Sequence, residues 1–385
     1  MVISEHRRLI AQLVADGDLT PDWAEVFERV PRHMFIPDRF WDRGEHDWFQ
    51  RDRNVDPGVW LQRVYSNGPI VVQIDDGREN PDVTRPRCTS AAIMPTVVAM
   101  MLDQLDVASD AQVLELGTGT GYTTALLAER VGAENVVTVE LDSRLAYRAG
   151  TTLRRAGWDV AVAIRDGNLG WARRAPYDRV LSSYAVRRIP YTWLRQCVDG
   201  GVIVAPWGTP YANAFLLRFT VHDEVADGRF LAAAAFPWDR CRPPRFRAMD
   251  DLAEQRPQAV VSRTLLRPYQ ATPGSGSCLA VGIRVPRCQW VWEDGEEPGS
   301  GTVWLYDDAE SWASVTVPDQ SAEEFAVHEY GPRRLWREVE EAHAWWQRLG
   351  SPEQERFGMT VTPEEQVVWL DCPDTPVHRW GPSDR

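Results

Sequence analysis

Gly117, Gly119 and Gly121 alternate through residues 113–127, VLELGTGTGYTTALL, and their spacing is the chain's clearest chemical signal. An apolar segment ending in Glu115 precedes them and an apolar-periodic segment follows, the order of a strand, a tight loop and a helix. Lacking Cβ atoms, such a loop takes positive φ and lets its backbone lie against a bound nucleoside. A dinucleotide site would place a third glycine or alanine in the G-x-G-x-x-G register, and that position is Tyr122. The loop from Glu115 to Gly121, with Thr118 and Thr120 between the glycines, therefore suits a nucleoside cofactor with no pyrophosphate to cradle. S-adenosyl-L-methionine is the common one, and S-adenosyl-L-homocysteine is then a product.

Two further acids fall where that cofactor needs them. Residues 135–140, NVVTVE, read as a short β-branched strand ending in Glu140, followed by Leu141. This carboxylate lies about twenty residues beyond the glycine loop, the interval at which an acid at a strand end meets ribose hydroxyls in doubly wound folds. A third apolar segment, residues 159–164, leads into Asp166-Gly167, where an acid can accept from the exocyclic amine of adenine. The plainer readings are a tight turn for the glycines, a helix N-cap for Asp142 and a solvated turn at Asp166-Gly167.

Strands and helices must alternate to bring these loops to one edge. Strand patterns recur at residues 113–116, 136–140, 160–164, 179–182 and 202–205 with helices between, and Gly200-Gly201 reads as a turn before the fifth. Two more strand patterns, 214–220 and 230–235, follow with no helix between them. The expected fold is α/β: a class I S-adenosylmethionine-dependent methyltransferase, Rossmann-like, with a seven-stranded mostly parallel sheet and an α/β C-terminal extension. Three regions are expected: a helical and irregular N-terminal cap (1–86), the Rossmann-like domain (87–240) and an accessory region (241–385). The cap holds helices with Leu9, Ile10, Leu13 and Val14 on one face and over residues 21–30, then an irregular stretch from 41 to 82. A helix pattern at 91–105 feeds the first strand. After the connectors CRPPRFR and ATPGSGS come strand-like pieces at 278–285, 289–292, 302–306 and 314–317, a helix at 332–349 and a final strand at 366–370. Many of the 18 tryptophans lie outside the βα core; they close flanking cores or line a peptide groove.

The chain of 385 residues carries 42 basic and 56 acidic residues for a net charge of −14, which argues against a nucleic-acid binder. Its cations are arginines. Six scattered cysteines without a C-x-x-C pair suggest neither a disulfide framework nor zinc, and seven histidines never reach ligand spacing, so no metal is expected. The N-terminus patterns as an amphipathic helix without a signal-peptide core, and no apolar run approaches a membrane span. A monomeric cytoplasmic protein without membrane partners is expected.

The flanking residues add a resemblance. Residues 30–37, VPRHMFIP, resemble the VPR-x-x-F-V-P element of protein-L-isoaspartate O-methyltransferases. Thr89-Ser90 ahead of a helix, LELGTGTGY, Asp166-Gly167, APYD at 175–178 and Gly200-Gly201 follow in that family's order, over roughly residues 20–240. The resemblance implies that Ser90, with Thr89, stands beside the methyl-accepting carboxylate, matching the serine of the family's T-I-S-x-P segment; the proline is replaced by Ala92. Helix capping is the plainer role for both hydroxyls. The insertion and C-terminal region, with PDRFW, VYSNGP and DDG, resemble the actinobacterial branch associated with ribosomal peptide clusters (graspetides, lasso peptides, lanthipeptides). That resemblance implies methylation of an aspartate in a modified, cyclised precursor peptide, the ester closing to an aspartimide that can open to isoaspartate. The alternatives are repair of isoaspartyl damage and an inactive cofactor-binding partner that presents peptide.

The chemistry agrees with the residues. A carboxylate with a pKa near ~4 is ionised at neutral pH and needs no general base. The protein has only to align it with a methyl donor, at about 3 Å, and exclude water.

Overall fold

The computed structural model describes residues 2–381 except 45–46, 80, 82, 84–85, 214, 245–257 and 273. Ala214, His46, Asp82, the end of CRPPRFR (245–247) and Pro273 of the second connector lie outside the described residues.

The cap begins with helices α1 (Val2–Ala15) and α2 (Pro21–Arg29), as the periodicity predicts. Leu9, Ile10 and Leu13 are buried, but Val14 is exposed. The stretch expected to be irregular is ordered. It folds as β1 (Arg39–Arg43), β2 (Trp48–Asp52), helix α3 (Pro57–Val64) and β3 (Ile70–Ile74). β1 and β2 are polar because cross-strand ion pairs stand in for apolar alternation: Arg39 to Asp52 at 2.6 Å and Arg51 to Asp42 at 2.9 Å. Thr89 and Ser90 belong to β4 (Cys88–Ala92), the outer strand of the sheet ordered β2-β1-β3-β4. The helix expected from residue 91 is α4 (Pro95–Leu105), with its proline in the first turn, where a missing N–H costs nothing. Thr89 and Ser90 are therefore strand residues and neither caps a helix.

Arg32 of the VPR element explains that motif physically. Its guanidinium is fully buried and donates to four carbonyls, of Val64 (3.1 Å), Ser66 (3.2 Å), Gly68 (3.1 Å) and Ile93 (3.0 Å). Burial lowers its pKa to about 10, so it stays a cation at neutral pH. Only a planar fork of N–H groups can tie the cap loop to the residue that follows β4 in this way.

The main sheet contains β5 (Val113–Leu116), β6 (Val136–Glu140), β7 (Ala161–Ile164), β8 (Tyr177–Ser182) and β9 (Cys197–Trp207), all parallel. Between them lie α5 (Tyr122–Val131), α6 (Ser143–Arg155) and α7 (Tyr191–Leu194). Gly200-Gly201 falls inside β9 rather than before it. The hairpin β10 (Phe215–His222) and β11 (Val225–Ala233) completes the expected seven. The sheet does not stop there. Its order is β19-β18-β17-β11-β10-β9-β8-β5-β6-β7, because β17 (Phe357–Val361), β18 (Gln366–Leu370) and β19 (Pro376–Trp380) continue from β11. A seven-stranded sheet would leave the long β11 with an open ladder; pairing with β17 satisfies it.

A second antiparallel sheet holds β12 (Val260–Thr264), β13 (Gln289–Asp294), β14 (Gly301–Tyr306), β15 (Trp312–Val317) and β16 (Phe325–Tyr330). The expected strand at 278–285 is instead helix α8 (Cys278–Arg284), packed on α9 (Leu335–Arg348). A short apolar run does not distinguish a buried strand from a buried helix. Trp60, Trp312 and Trp336 are fully buried and close the flanking cores. Strands thus cross the boundaries drawn at 86 and 240 in the sequence: β4 joins the cap's sheet and three C-terminal strands join the main one. Among the described residues no helix is long and apolar enough to cross a membrane.

Glu115, expected at the cofactor, lies beneath the glycine loop with no exposed surface. Thr124 (2.5 Å) and Thr138 (2.7 Å) donate to its Oε2, and Thr118 lies 2.7 Å from Thr138 hydroxyl to hydroxyl. It braces β5, β6 and α5. Burial raises its pKa to about 7 from 4.5.

Two measurements test these braces. Arg32→Met strands four carbonyls and should cost about 2–4 kcal/mol, read from the denaturant midpoint. Glu115 in the folded state keeps a proton that the unfolded chain releases between pH 4.5 and about 7, so its contribution to stability falls as pH rises through that window. Glu115→Gln has no proton to lose. Its stability relative to wild type should therefore rise by up to about 3 kcal/mol from the acid to the alkaline side; a pH-independent difference in melting would contradict this.

Candidate active site

The C-terminal ends of β5, β6, β7 and β8 open on one cleft, the usual ligand edge of such sheets. The cleft encloses about 790 Å³, including the part open to solvent, within the range of ligand pockets. Thr89, Ser90, Gly117, Thr118, Gly119, Thr120, Glu140, Leu141, Asp166 and Gly167 all line it. Of the sequence-predicted site residues, Glu115 and Gly121 do not. A Cβ on Gly121, at φ +86°, would lie 3.4 Å from Ala149 and Leu153, so this glycine serves the packing of α5 on α6.

The loop is fixed from below and from the side. Gly117 N–H donates to the Val139 carbonyl at 2.8 Å. Glu140 accepts from Gly119 N–H at 2.9 Å on one oxygen and from Asp142 N–H at 3.0 Å on the other. Burial pushes the Glu140 pKa upward, and these two N–H groups oppose the shift. Each oxygen keeps a lone pair for a sugar hydroxyl. Asp142 caps α6, accepting from Arg144 and Leu145 N–H, as the plainer reading of that residue has it.

At the next strand end the Asp166 carboxylate accepts from Asn168 N–H and Nδ2, both at 2.9 Å. The Trp193 indole donates to the Gly167 carbonyl at 3.0 Å. Asp166, Asp239 and Cys241 bring donor atoms within 4.8 Å of one another. Ligand spacing along the chain gives no sign of this cluster, because it assembles residues from separate loops. Its atoms are engaged: Asp239 accepts from Asn168 Nδ2 at 2.8 Å and from Cys241 N–H at 2.9 Å.

Across the cleft stands β4. The Thr89 hydroxyl is spent, donating to Gln73 Oε1 at 2.9 Å and accepting from Asp76 N–H at 3.2 Å. Ser90 faces the glycine loop: a Cβ on Gly119 would lie 3.6 Å from Ser90 Oγ and 4.0 Å from the Ala91 carbonyl. Such a side chain would fill the gap between loop and strand. The residues thus fit a nucleoside-bearing methyl donor, with a bare backbone on one wall, acids at two strand ends and a hydroxyl opposite.

Sequence reasoning missed Gln73, Ser183, Tyr184 and residues 237–241. Ser183 Oγ donates to the Gly117 carbonyl at 2.5 Å, and the Tyr184 ring lies against Gly117 and Gly167 with its hydroxyl buried and unpartnered. Residues 237–241 cross the cleft after β11, with Asp239 N–H donating to the Ala185 carbonyl at 2.9 Å. Among the described residues, Trp238 is the tryptophan that lines the cleft. SSY after a strand was the one available signal; the crossing segment reads only as a connector.

Residues 53–232 match the protein-L-isoaspartate(D-aspartate) O-methyltransferase family profile. Protein-L-isoaspartate O-methyltransferase 1 of Syntrophobacter fumaroxidans is 40% identical over 215 residues, 56% of this chain and 84% of that protein. The Trichlorobacter lovleyi enzyme of the same name is 31% identical over 227 residues, 59% of this chain and 86% of its own. A solved structure of a protein-L-isoaspartate O-methyltransferase aligns over 98% of this chain and 99% of its own at 18% identity, with a TM-score of 0.51, a likeness of fold. The region beyond 240 therefore has a fold-level counterpart. With the cleft, the strand order and these relatives together, the chain belongs to the protein-L-isoaspartate O-methyltransferase family, with the class I S-adenosylmethionine-dependent methyltransferase fold.

Proposed function

We propose that the protein methylates the side-chain carboxylate of an isoaspartyl or aspartyl residue in a protein or peptide, and that the isoaspartyl acceptor is the first reading. The observation that carries it is the facing pair of walls: Ser90 on β4 opposite Gly119 on the donor loop. The relatives, which bear the isoaspartate name at 40% and 31% identity, support the acceptor.

When bound, S-adenosylmethionine supplies an electrophilic methyl on a sulfonium, and an ionised carboxylate accepts it without giving up a proton. The chain's own residues then bind, orient and exclude water. Gly117 and Gly119 admit the nucleoside, Glu140 holds ribose hydroxyls, and Asp166 accepts from the adenine amine, with Thr118, Thr120, Leu141 and Gly167 completing the wall. Ser90, whose hydroxyl donates to no described acceptor, offers its O–H to the substrate carboxylate. Thr89 contributes by position, its hydroxyl being already used. All of these come from one copy of the chain, which suits a monomer, and six free cysteines suit a reducing cytoplasm.

A second reading is methylation of an ordinary aspartate in a modified precursor peptide, with closure to aspartimide and loss of methanol. A specific feature favours it. The proline of the family's T-I-S-x-P segment is Ala92 here, and Ala92 lines the cleft beside Ser90. Residues 241–385 would then dock peptide, and exposed Val260, Val261, Leu265 and Tyr269 provide apolar surface for it.

Incubation with S-adenosylmethionine and two peptides, one isoaspartyl and one cyclised with a normal aspartate, separates the readings by mass. A methyl gain on the isoaspartyl peptide alone supports the first. A methyl gain then methanol loss on the cyclised one alone supports the second, and no gain on either overturns both. On whichever peptide reacts, Ser90→Ala should lower turnover about 10- to 100-fold, the range of one hydrogen bond to a charge, with S-adenosylhomocysteine affinity unchanged. Unchanged turnover would leave Ser90 a packing residue.

A further inference from the structure

Donor wall and acceptor wall belong to different sheets, yet one hydrogen-bond chain joins them. Gly119 N–H donates to Glu140, whose other oxygen accepts from Asp142 N–H. The Asp142 carboxylate accepts from Gln73 Nε2 at 3.0 Å, and Gln73 Oε1 accepts from the Thr89 hydroxyl at 2.9 Å. Thr89 precedes Ser90 on β4. Every link is made by a named atom, and Gln73, only 8% exposed, joins the two sheets through its side-chain amide.

The residue type is what the place requires. A primary amide accepts on its oxygen and donates from its nitrogen, so Gln73 accepts from the Thr89 hydroxyl and donates to Asp142. A carboxylate there could not donate to Asp142, and an aliphatic chain could do neither. The junction is reinforced. Arg240, from the segment crossing the cleft, reaches Asp76 at 2.8 Å, Asp142 at 3.3 Å and Gln73 Oε1 at 3.5 Å. Burial works against the Asp142 carboxylate, but the bonds from Gln73, Leu145 and Arg144 and the nearby Arg240 hold its pKa below the ordinary value. Asp76, whose N–H meets Thr89, holds a left-handed conformation at φ 60°, ψ 25°. Non-glycine residues keep such backbone only where surroundings enforce it.

We infer that Gln73 is a positioning residue that transmits donor binding to the acceptor strand, so that order imposed on the Gly117–Gly121 loop reaches Ser90 through Glu140, Asp142 and Thr89. The inference rests on the proposed donor site. A ligand that orders the loop fixes the Glu140 acceptor geometry, and linked bonds of this kind strengthen one another. A simple buttress would stabilise the fold without carrying this dependence.

Hydrogen exchange with and without S-adenosylhomocysteine tests it. In wild type the ligand should slow exchange in both 117–121 and 88–92, the latter by about tenfold, the scale of one net hydrogen bond. In Gln73→Met, of similar length without polar atoms, protection should persist in 117–121 and vanish in 88–92. Gln73→Glu, which keeps the acceptor for Thr89 and loses the donor toward Asp142, should behave alike and serves if the first variant does not fold. Strand protection retained in either folded variant overturns the inference, as does wild-type protection confined to the loop. No protection of the wild-type loop would instead overturn the donor reading.

Discussion

Methyl transfer to a carboxylate needs alignment across a gap, and here the gap lies between a loop on one sheet and a strand on another. A Cβ on Gly119 would stand 3.6 Å from Ser90 Oγ. Alignment of a reacting pair beside so close an approach tolerates displacement of only a fraction of an ångström. Each wall is therefore pinned by a buried ionisable group. Glu140 anchors the loop through the Gly119 N–H, and Arg32 anchors the end of β4 through the Ile93 carbonyl. Neither meets an opposite charge in these bonds; both use backbone dipoles, which cannot swing away as a side chain can.

What the sequence discloses of this arrangement follows from local physics. The strand, bare loop and helix at 113–131 are legible because the apolar periodicity and the missing Cβ atoms are local properties. Glu140 and Asp166 are legible because strand ends in doubly wound folds share one edge. The misreadings have equally local causes. Residues 91–105 carry a helical pattern, but Pro95 fixes where the helix can start, and Thr89 and Ser90 are thereby left to a strand. β1 and β2 of the cap escape notice because their partners are charges across a ladder rather than alternating apolar residues. Gln73 and Arg240 carry no local sign at all. Gln73 and Asp142 are 69 residues apart and Arg240 and Asp142 are 98 apart, so only tertiary folding makes them neighbours.

The C-terminal region shows the same dependence on long-range pairing. Its last three strands extend the catalytic sheet through β11, and the crossing segment at 237–241 leaves the same strand to cover the cleft. The outer sheet and the roof of the site are thus both fixed to one strand. Arg188 adds a second tie, donating to the carbonyls of Trp380 (3.2 Å) and Gly381 (3.0 Å). Hydrogen-bonded continuity of this kind makes residues 357–381 part of the catalytic body, whatever the second sheet does.

On the proposed reading, choice of acceptor comes down to what faces the glycine loop besides Ser90. Ala91, Ala92 and Ile93 present methyl and butyl surface along the rest of that wall. An apolar wall discriminates weakly between substrates of similar shape, by about 1–3 kcal/mol per missing or added methylene. A hydroxyl, by contrast, rejects a ligand that leaves it unpaired. One polar group among four residues therefore leaves the carboxylate's position tightly specified and its backbone connection loosely so. On the proposed reading this is a site that recognises where an acid group sits, with selectivity between aspartyl and isoaspartyl chains left to the surfaces around the cleft.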